Sequence, residues 1–345
     1  MEQAKVLLIY TGGTIGMIED NETGALIAFD FQHLSDQIPE LSLINAEMNA
    51  VSLAMPIDSS DMRQSIWEEI AFHVVENYNE YDGFVILHGT DTMAYSASAL
   101  SFMLQGLKKP VILTGSQLPI GKIRTDGKEN LITSIEIAAA KDKNGESLIQ
   151  EVAIFFEDYL YRGNRTTKVS ANAFEAFLSP NYIELAKAGI EIRYNKSAFF
   201  RSELPTLDYR PKMNNKVALM KIFPGGTVSV YKNLFDVEKV KAVVIESFGA
   251  GNVPNNTDFF NMVENYIKKG GIVINITQCY SGSVTQGMYA NSTQLNKLGV
   301  ISGNDLSTES AITKIMYLLG NYDDTQTIKD LMQVSLVGEM GDNNN

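Results

Sequence analysis

Short β-branched runs that end in Gly, Thr, Ser or Asn turns and give way to helical periodicity recur along this chain. That rhythm restricts it to βαβ units around a mainly parallel sheet. Val6 to Tyr10, Phe84 to Leu87, Val111 to Thr114 and Val152 to Phe156 are the clearest N-terminal strands. Helices are expected over 61–78, 93–105 and 127–141. In the first of these, Ile66, Trp67, Ile70, Ala71, Val74, Val75 and Tyr78 trace one apolar stripe. The pattern dissolves between Ile190 and Asn215, then resumes with strands at 217–223, 242–245 and 272–276 and helices near 258–268, 307–319 and 325–334. The expected fold is α/β: an N-terminal, mainly parallel sheet flanked by helices over 1–192, a linker over 193–215, and a smaller C-terminal α/β domain over 216–340. The tail, 341–345, is expected to be disordered.

Composition excludes several partners. The formal charge is -13 with no Lys/Arg cluster, so no nucleic acid is expected to bind. Cys279 is the sole cysteine; an intrachain disulfide is ruled out, which fits a reducing compartment. The apolar run from Val6 to Tyr10 is too short for a secretory signal, and no other run approaches the roughly 18 residues of a membrane span. The chain reads as a soluble cytoplasmic protein with no membrane partner.

Ligands of open α/β sheets bind at the carboxyl ends of strands, so the turns there carry the functional reading. Thr11-Gly12-Gly13-Thr14-Ile15-Gly16 places two hydroxyls around a glycine pair after the first strand. A tight turn or a phosphate cradle would use the same residues, but the glycines do not fall as G-x-G-x-x-G. His88-Gly89-Thr90-Asp91-Thr92 is either a helix cap or a hydroxyl and carboxylate aimed into one crevice. Arg162 to Lys168 is basic and rich in hydroxyls, a solvated loop or the source of a basic amine. Gly115 to Lys122 approaches a P-loop, yet its glycines are one residue too far apart and Ile123 stands where Ser or Thr must hold magnesium. His33, His73 and His88 lie far apart outside any H-E-x-x-H pattern, and no metal or other cofactor is expected. No G-x-S-x-G occurs.

Thr11 to Ile15 together with His88 to Thr92 closely resembles the two signature segments of bacterial-type L-asparaginases. Asp58 to Met62, Thr114 to Gln117, Arg162 to Lys168, Gly249 to Asn252 and Thr277 to Cys279 resemble further family blocks in order, and Tyr161 to Lys168 resembles the cytoplasmic type I branch. The resemblance implies hydrolysis of asparagine to aspartate and ammonia through an acyl-enzyme. Thr14 would be the nucleophile, with Thr90, Asp91 and Lys168 as a second hydroxyl-carboxylate-amine cluster beside it. Asp91 would pair with the substrate α-ammonium. Ser59 and Ser60 would donate to the α-carboxylate, Asp58 would also line the substrate site, and backbone N–H groups near Gly13 or Thr90 would form the oxyanion hole. The family also implies a homotetramer of close dimers, with Asn252 reaching a neighbouring site.

Two departures stand out. The family's loop tyrosine has no counterpart between Glu19 and Leu26, and Tyr289 is the candidate to supply the phenol. Some cytoplasmic members bind a second asparagine through an arginine in the strand before the Gly-x-Gly-Asn block. Here that position is Glu246, although Thr167 and Cys279 still match. Rival readings are a glutaminase-asparaginase of broader specificity, an amidase subunit acting on misacylated transfer RNA, which would carry an extra N-terminal domain, and an amino-acid-binding sensor without turnover.

Overall fold

The computed structural model describes residues 3–16, 18–19, 26–27, 38–285 and 290–341. The chain divides into two compact units, Met1–Pro211 and Lys212–Asn345.

In the first unit, the continuous apolar runs become strands buried on both faces: β1 (Ala4–Gly12), β3 (Gly83–Leu87), β4 (Val111–Thr114) and β5 (Val152–Phe156). They are joined by β2 (Ala46–Ile57), β6 (Tyr159–Arg162), β7 (Ala186–Lys187) and β8 (Arg193–Tyr194) in one eight-stranded sheet of order β8-β7-β6-β5-β4-β3-β1-β2. Pairing is parallel from β5 to β2 and antiparallel from β5 to β8. Val6, Leu8 and Tyr10 pack with Val85, Leu87, Ile112 and Phe155 against Leu131 and Ile135. By strand alternation Leu7 and Ile9 face the other side, where they are equally buried.

Helices α1 (Gln64–Glu76), α2 (Met93–Met103) and α3 (Gly127–Ala139) connect the parallel strands. α1 buries Ile66, Trp67, Ile70, Ala71 and Val74 along one stripe and exposes the opposite face. α2 is buried at every position but Tyr95, and its alanines and serines allow that close packing. The helix expected from 61 begins later, at Gln64. Asp58 accepts the Ser60 N–H at 2.8 Å and closes a separate 3₁₀ turn, Ser59–Asp61, after which Arg63 is extended. Ser59 and Ser60 therefore sit in that turn and not at an α-helix N-terminus.

Two short strands fall within 193–215: β8, and Asp208–Tyr209, which pairs antiparallel with Leu104–Gln105. Leu104 and Gln105 accordingly leave the expected helix.

The second unit holds β9 (Val217–Lys221), β10 (Ala242–Ser247), β11 (Ile272–Thr277) and β12 (Ile301–Ser302) as a parallel four-stranded sheet in sequential order. Its helices are α4 (Thr257–Lys268), α5 (Ala290–Lys297), α6 (Thr308–Asn321) and α7 (Thr325–Met332). Asn256, Ser307 and Asp324 cap α4, α6 and α7 through their side chains. Val243, Ile245 and Val273 form the core with Phe259, Phe260 and Val263 of α4. Among the described residues no helix is long and apolar enough to cross a membrane.

Candidate active site

The parallel strands run in the order 2-1-3-4-5, so the chain leaves β1 toward one sheet edge and β3 toward the other. Ligands bind at such a switch point, outside the strands' carboxyl ends. The Thr11–Gly16 and His88–Thr92 turns flank it.

Three loops nest there through missing side chains. The β1–β2 register shifts between Tyr10 and Gly12, which brings Ile57 opposite Gly12. A Cβ on Gly12 would lie 2.0 Å from the Ile57 carbonyl oxygen, one on Gly13 2.5 Å from both N and Cα of Gly89, and one on Gly89 2.6 Å from Ser59 Oγ. Gly12 and Gly13 also adopt φ of 118° and 81°, open to glycine at little cost. Thr11 Oγ1 donates to the Leu87 carbonyl at 2.9 Å, and Thr92 Oγ1 donates to the Ser59 carbonyl at 2.7 Å. Half-buried Thr14 opens the 3₁₀ turn that follows this seam.

Lys168 arrives from the far side of the sheet. Its segment leaves β6 through a 3₁₀ turn, Gly163–Arg165, whose glycine lies so close to α2 that a Cβ would be 2.9 Å from Ala97 Cβ. Thr167–Lys168 then pairs antiparallel with Phe177–Leu178. The Lys168 Nζ donates to Thr90 Oγ1 at 2.8 Å and to Asp91 Oδ1 at 2.6 Å. Lys168 keeps 15% of its side chain exposed against 67% for Asp91, so the amine is enclosed while the carboxylate still faces solvent, open to a cationic ligand. The base of this segment is clamped: Arg162 Nε donates to Glu151 Oε2 at 2.7 Å, and its guanidinium stacks 4.2 Å from the Tyr182 ring centroid and 5.7 Å from that of Phe200. Burial pushes the Glu151 carboxyl above its usual range against the pull of Arg162.

The Asp58 carboxylate is held below its usual range chiefly by the Ser60 N–H. Ser59 is buried and Ser60 exposed. The candidates Thr14, Asp58, Ser59, Ser60, Thr90, Asp91 and Lys168 thus all lie in the first unit, on turns and one short strand.

Asn252 belongs to the second unit, on the turn after β10. There its N–H donates to the Phe248 carbonyl at 2.8 Å, and Asn275 Nδ2 donates to the Gly251 carbonyl at 3.0 Å. Glu246 is buried in β10 with both oxygens engaged, Oε1 by Thr308 Oγ1 at 2.6 Å and Oε2 by Lys221 Nζ at 3.1 Å. Cys279 is exposed, with its N–H on Thr277 Oγ1. Tyr289, His33 and the loop residues 20–25 lie outside the described residues. Among the described residues no group of three or more His, Cys, Asp or Glu is placed to hold a metal.

One arrangement escaped the sequence reading. Behind the second turn, fully buried His88 sits with Nδ1 2.6 Å from the Gly89 carbonyl oxygen and Nε2 2.8 Å from Ser96 Oγ, which also receives the Trp67 indole N–H at 2.9 Å. Desolvation lowers the His88 pKa to about 4, so the ring is neutral near pH 7. Nothing in the spacing of 67, 88 and 96 announces this cluster, because three separate elements supply it.

A hydroxyl-amine-carboxylate cluster beside a glycine-lined turn, at the switch point of a parallel sheet, suits attack on a carbonyl compound with an attached amino group. Comparison with known proteins agrees in kind. The family described as Asparaginase, N-terminal matches residues 5–200, and the Glutaminase/Asparaginase C-terminal domain matches 216–332. L-asparaginase 1 of Escherichia coli (strain K12) is 41% identical over 341 residues, 99% of each chain. Among solved structures, L-asparaginase I from Vibrio cholerae O1 biovar eltor str. N16961 superimposes with a TM-score of 0.88 at 37% identity, covering 99% of this chain and 100% of that one. The thermostable L-asparaginase from Thermococcus kodakarensis gives 0.89 at 29% identity, covering 98% and 99%. The fold and these matches define an amidohydrolase of the two-unit α/β class. The chain belongs to the asparaginase family.

Proposed function

We propose that this protein is an L-asparaginase, hydrolysing L-asparagine to L-aspartate and ammonia with Thr14 as nucleophile. The observation that carries the reading is the Lys168 Nζ held between Thr90 Oγ1 and Asp91 Oδ1 at the strand ends, in a loop cluster that also contains the Thr14 turn. A threonine hydroxyl is a weak nucleophile until a neighbour takes its proton, and this cluster follows the Gly89 turn on which Gly13 packs. Thr14 Oγ1 attacks the amide carbon, the C–N bond breaks as ammonia leaves with a proton, and water then cleaves the aspartyl ester and restores the hydroxyl. Asp91, with most of its side chain in solvent, pairs with the substrate α-ammonium. Ser59 and Ser60, on the turn that Asp58 closes, take the α-carboxylate. Backbone N–H groups near Gly13 and Thr90 stabilise the tetrahedral oxyanion.

The type I resemblance further supports a cytoplasmic location and a homotetramer in which Asn252 serves a neighbouring site. Tyr289 is proposed to supply the phenol that the loop between Glu19 and Leu26 lacks. Ammonia release by purified protein from asparagine and, separately, from glutamine tests the reading. Release from asparagine at a clearly higher kcat/KM is expected, and absence of turnover on asparagine overturns it.

A further inference from the structure

The His88 cluster has a definite hydrogen-bond polarity. The Gly89 carbonyl only accepts, so His88 Nδ1 carries the proton. A neutral ring then has Nε2 as an acceptor, and the Ser96 hydroxyl donates to it while itself accepting the Trp67 indole N–H. Trp67 on α1, Ser96 on α2 and His88 after β3 thus form a buried chain that ends on one peptide oxygen: His88 and Ser96 are 0% exposed and Trp67 7%.

The peptide so gripped joins Gly89 to Thr90. It is trans, as are all peptide bonds of the described chain, and in a trans peptide the C=O and N–H point in opposite directions. With its oxygen fixed against the buried ring, the Thr90 N–H is turned away from the core, and it meets no acceptor among the described residues. Gly89 packs on Gly13 and Ser59 but has no side chain of its own, and among the described residues the His88 ring supplies the hydrogen bond to its carbonyl.

We propose that His88 is a positioning residue for amide hydrolysis: its Nδ1–H fixes the Gly89–Thr90 peptide so that the Thr90 N–H points at the oxyanion. This rests on the asparaginase reading above. The imidazole exchanges no proton with substrate. Its contribution is expressed through the backbone donor, which is useful only while the oxyanion exists.

Two variants separate this role from mere packing. In His88→Asn the amide nitrogen occupies the place of Nδ1 and keeps the donor to Gly89. In His88→Gln the amide falls at Nε2, keeping the Ser96 contact and losing the grip on Gly89. Both lose ring packing and both are expected to melt below wild type. His88→Gln is expected to lose about 30-fold or more in kcat with KM changed less than about 3-fold, since removal of an oxyanion donor costs on the order of 10²–10³ in kcat. His88→Asn is expected to stay within about 5-fold of wild type. Equal kcat values for the two variants would overturn the proposal, as would a crystal structure of His88→Gln with the Gly89–Thr90 peptide unrotated. That structural comparison holds whatever the substrate. A wild-type protein inactive on asparagine refutes the functional reading, while the peptide's orientation still decides the positioning role.

Discussion

Gly13 and Gly89 touch backbone to backbone: a Cβ added to Gly13 would stand 2.5 Å from the nitrogen and Cα of Gly89. The contact sets the separation of the two threonine-bearing turns. Gly13→Ala would also have to hold alanine at φ 81°. The expected cost is on the order of 1–3 kcal/mol in stability from strain and overpacking, together with at least about a tenfold fall in kcat. Denaturant titration and ammonia release measure the two. Retention of full turnover would show that the turns need not be so close.

Thr14→Ala removes one half-buried hydroxyl from a turn, so the melting temperature should hold while turnover disappears. Lys168→Met removes the donor to Thr90 and Asp91 and should lower kcat far more than it raises KM. An unchanged kcat in Lys168→Met would confine the amine to a structural role.

Inside the second unit, Lys314 and Glu339 form an ion pair at 2.6 Å with both side chains 0% exposed. Desolvation opposes the charge on Glu339, but Lys314 and the N–H groups of Val337 and Leu336 outweigh it and hold the carboxyl below its usual range. Lys314→Met strands that carboxylate in the core and should cost about 3–5 kcal/mol. Adding Glu339→Gln should return part of the loss by removing the buried charge. A double variant less stable than Lys314→Met would contradict this account in equilibrium unfolding.

His88 makes a pH dependence. Its folded pKa of about 4 lies below the ordinary 6.5, so between these values the unfolded chain binds a proton that the folded chain refuses. The sign follows: stability from this group is complete above about pH 6.5 and falls as pH drops toward 4, by roughly 3 kcal/mol at most. Wild type should therefore lose more stability than His88→Asn between pH 7 and pH 4.5 in urea titrations. Parallel losses would place the titration elsewhere.

Glu246 bears on regulation. At the position where the type I resemblance would place an arginine for a second asparagine, this chain has a carboxylate already engaged by Lys221 and Thr308. A glutamate repels the ligand's α-carboxylate, and a pocket that rejects its effector has no coupling energy to transmit. Rate should depend hyperbolically on asparagine concentration. A Hill coefficient clearly above one, lost on replacing Thr167 or Cys279, would show a second site in altered form.

Physical reasons decide which parts of the molecule the sequence discloses. β1, β3, β4, β5, β10 and β11 are buried on both faces, so they read as unbroken apolar runs. Strand β2 lies at the sheet edge with half its residues in solvent, and its mixed composition from Ala46 to Ile57 gives no period to read. The eight-residue 3₁₀ segment Val228–Phe235 has no fully buried residue and likewise left no signal. Thr14, Thr90, Asp91 and Lys168 are visible as candidates because hydroxyls, a carboxylate and an amine follow strands. The partners of His88 are not, since Trp67 and Ser96 meet it only once α1 and α2 have packed.

The clamp on Arg162 places Lys168 at the far end of a short arm. One end of the arm is anchored by Glu151, Tyr182 and Phe200 around Arg162, and the other by the pairing of Lys168 with Phe177, whose ring packs on Phe156. Loosening the Arg162 anchorage by substitution is therefore expected to displace the Nζ from Thr90 while the central strands stay intact.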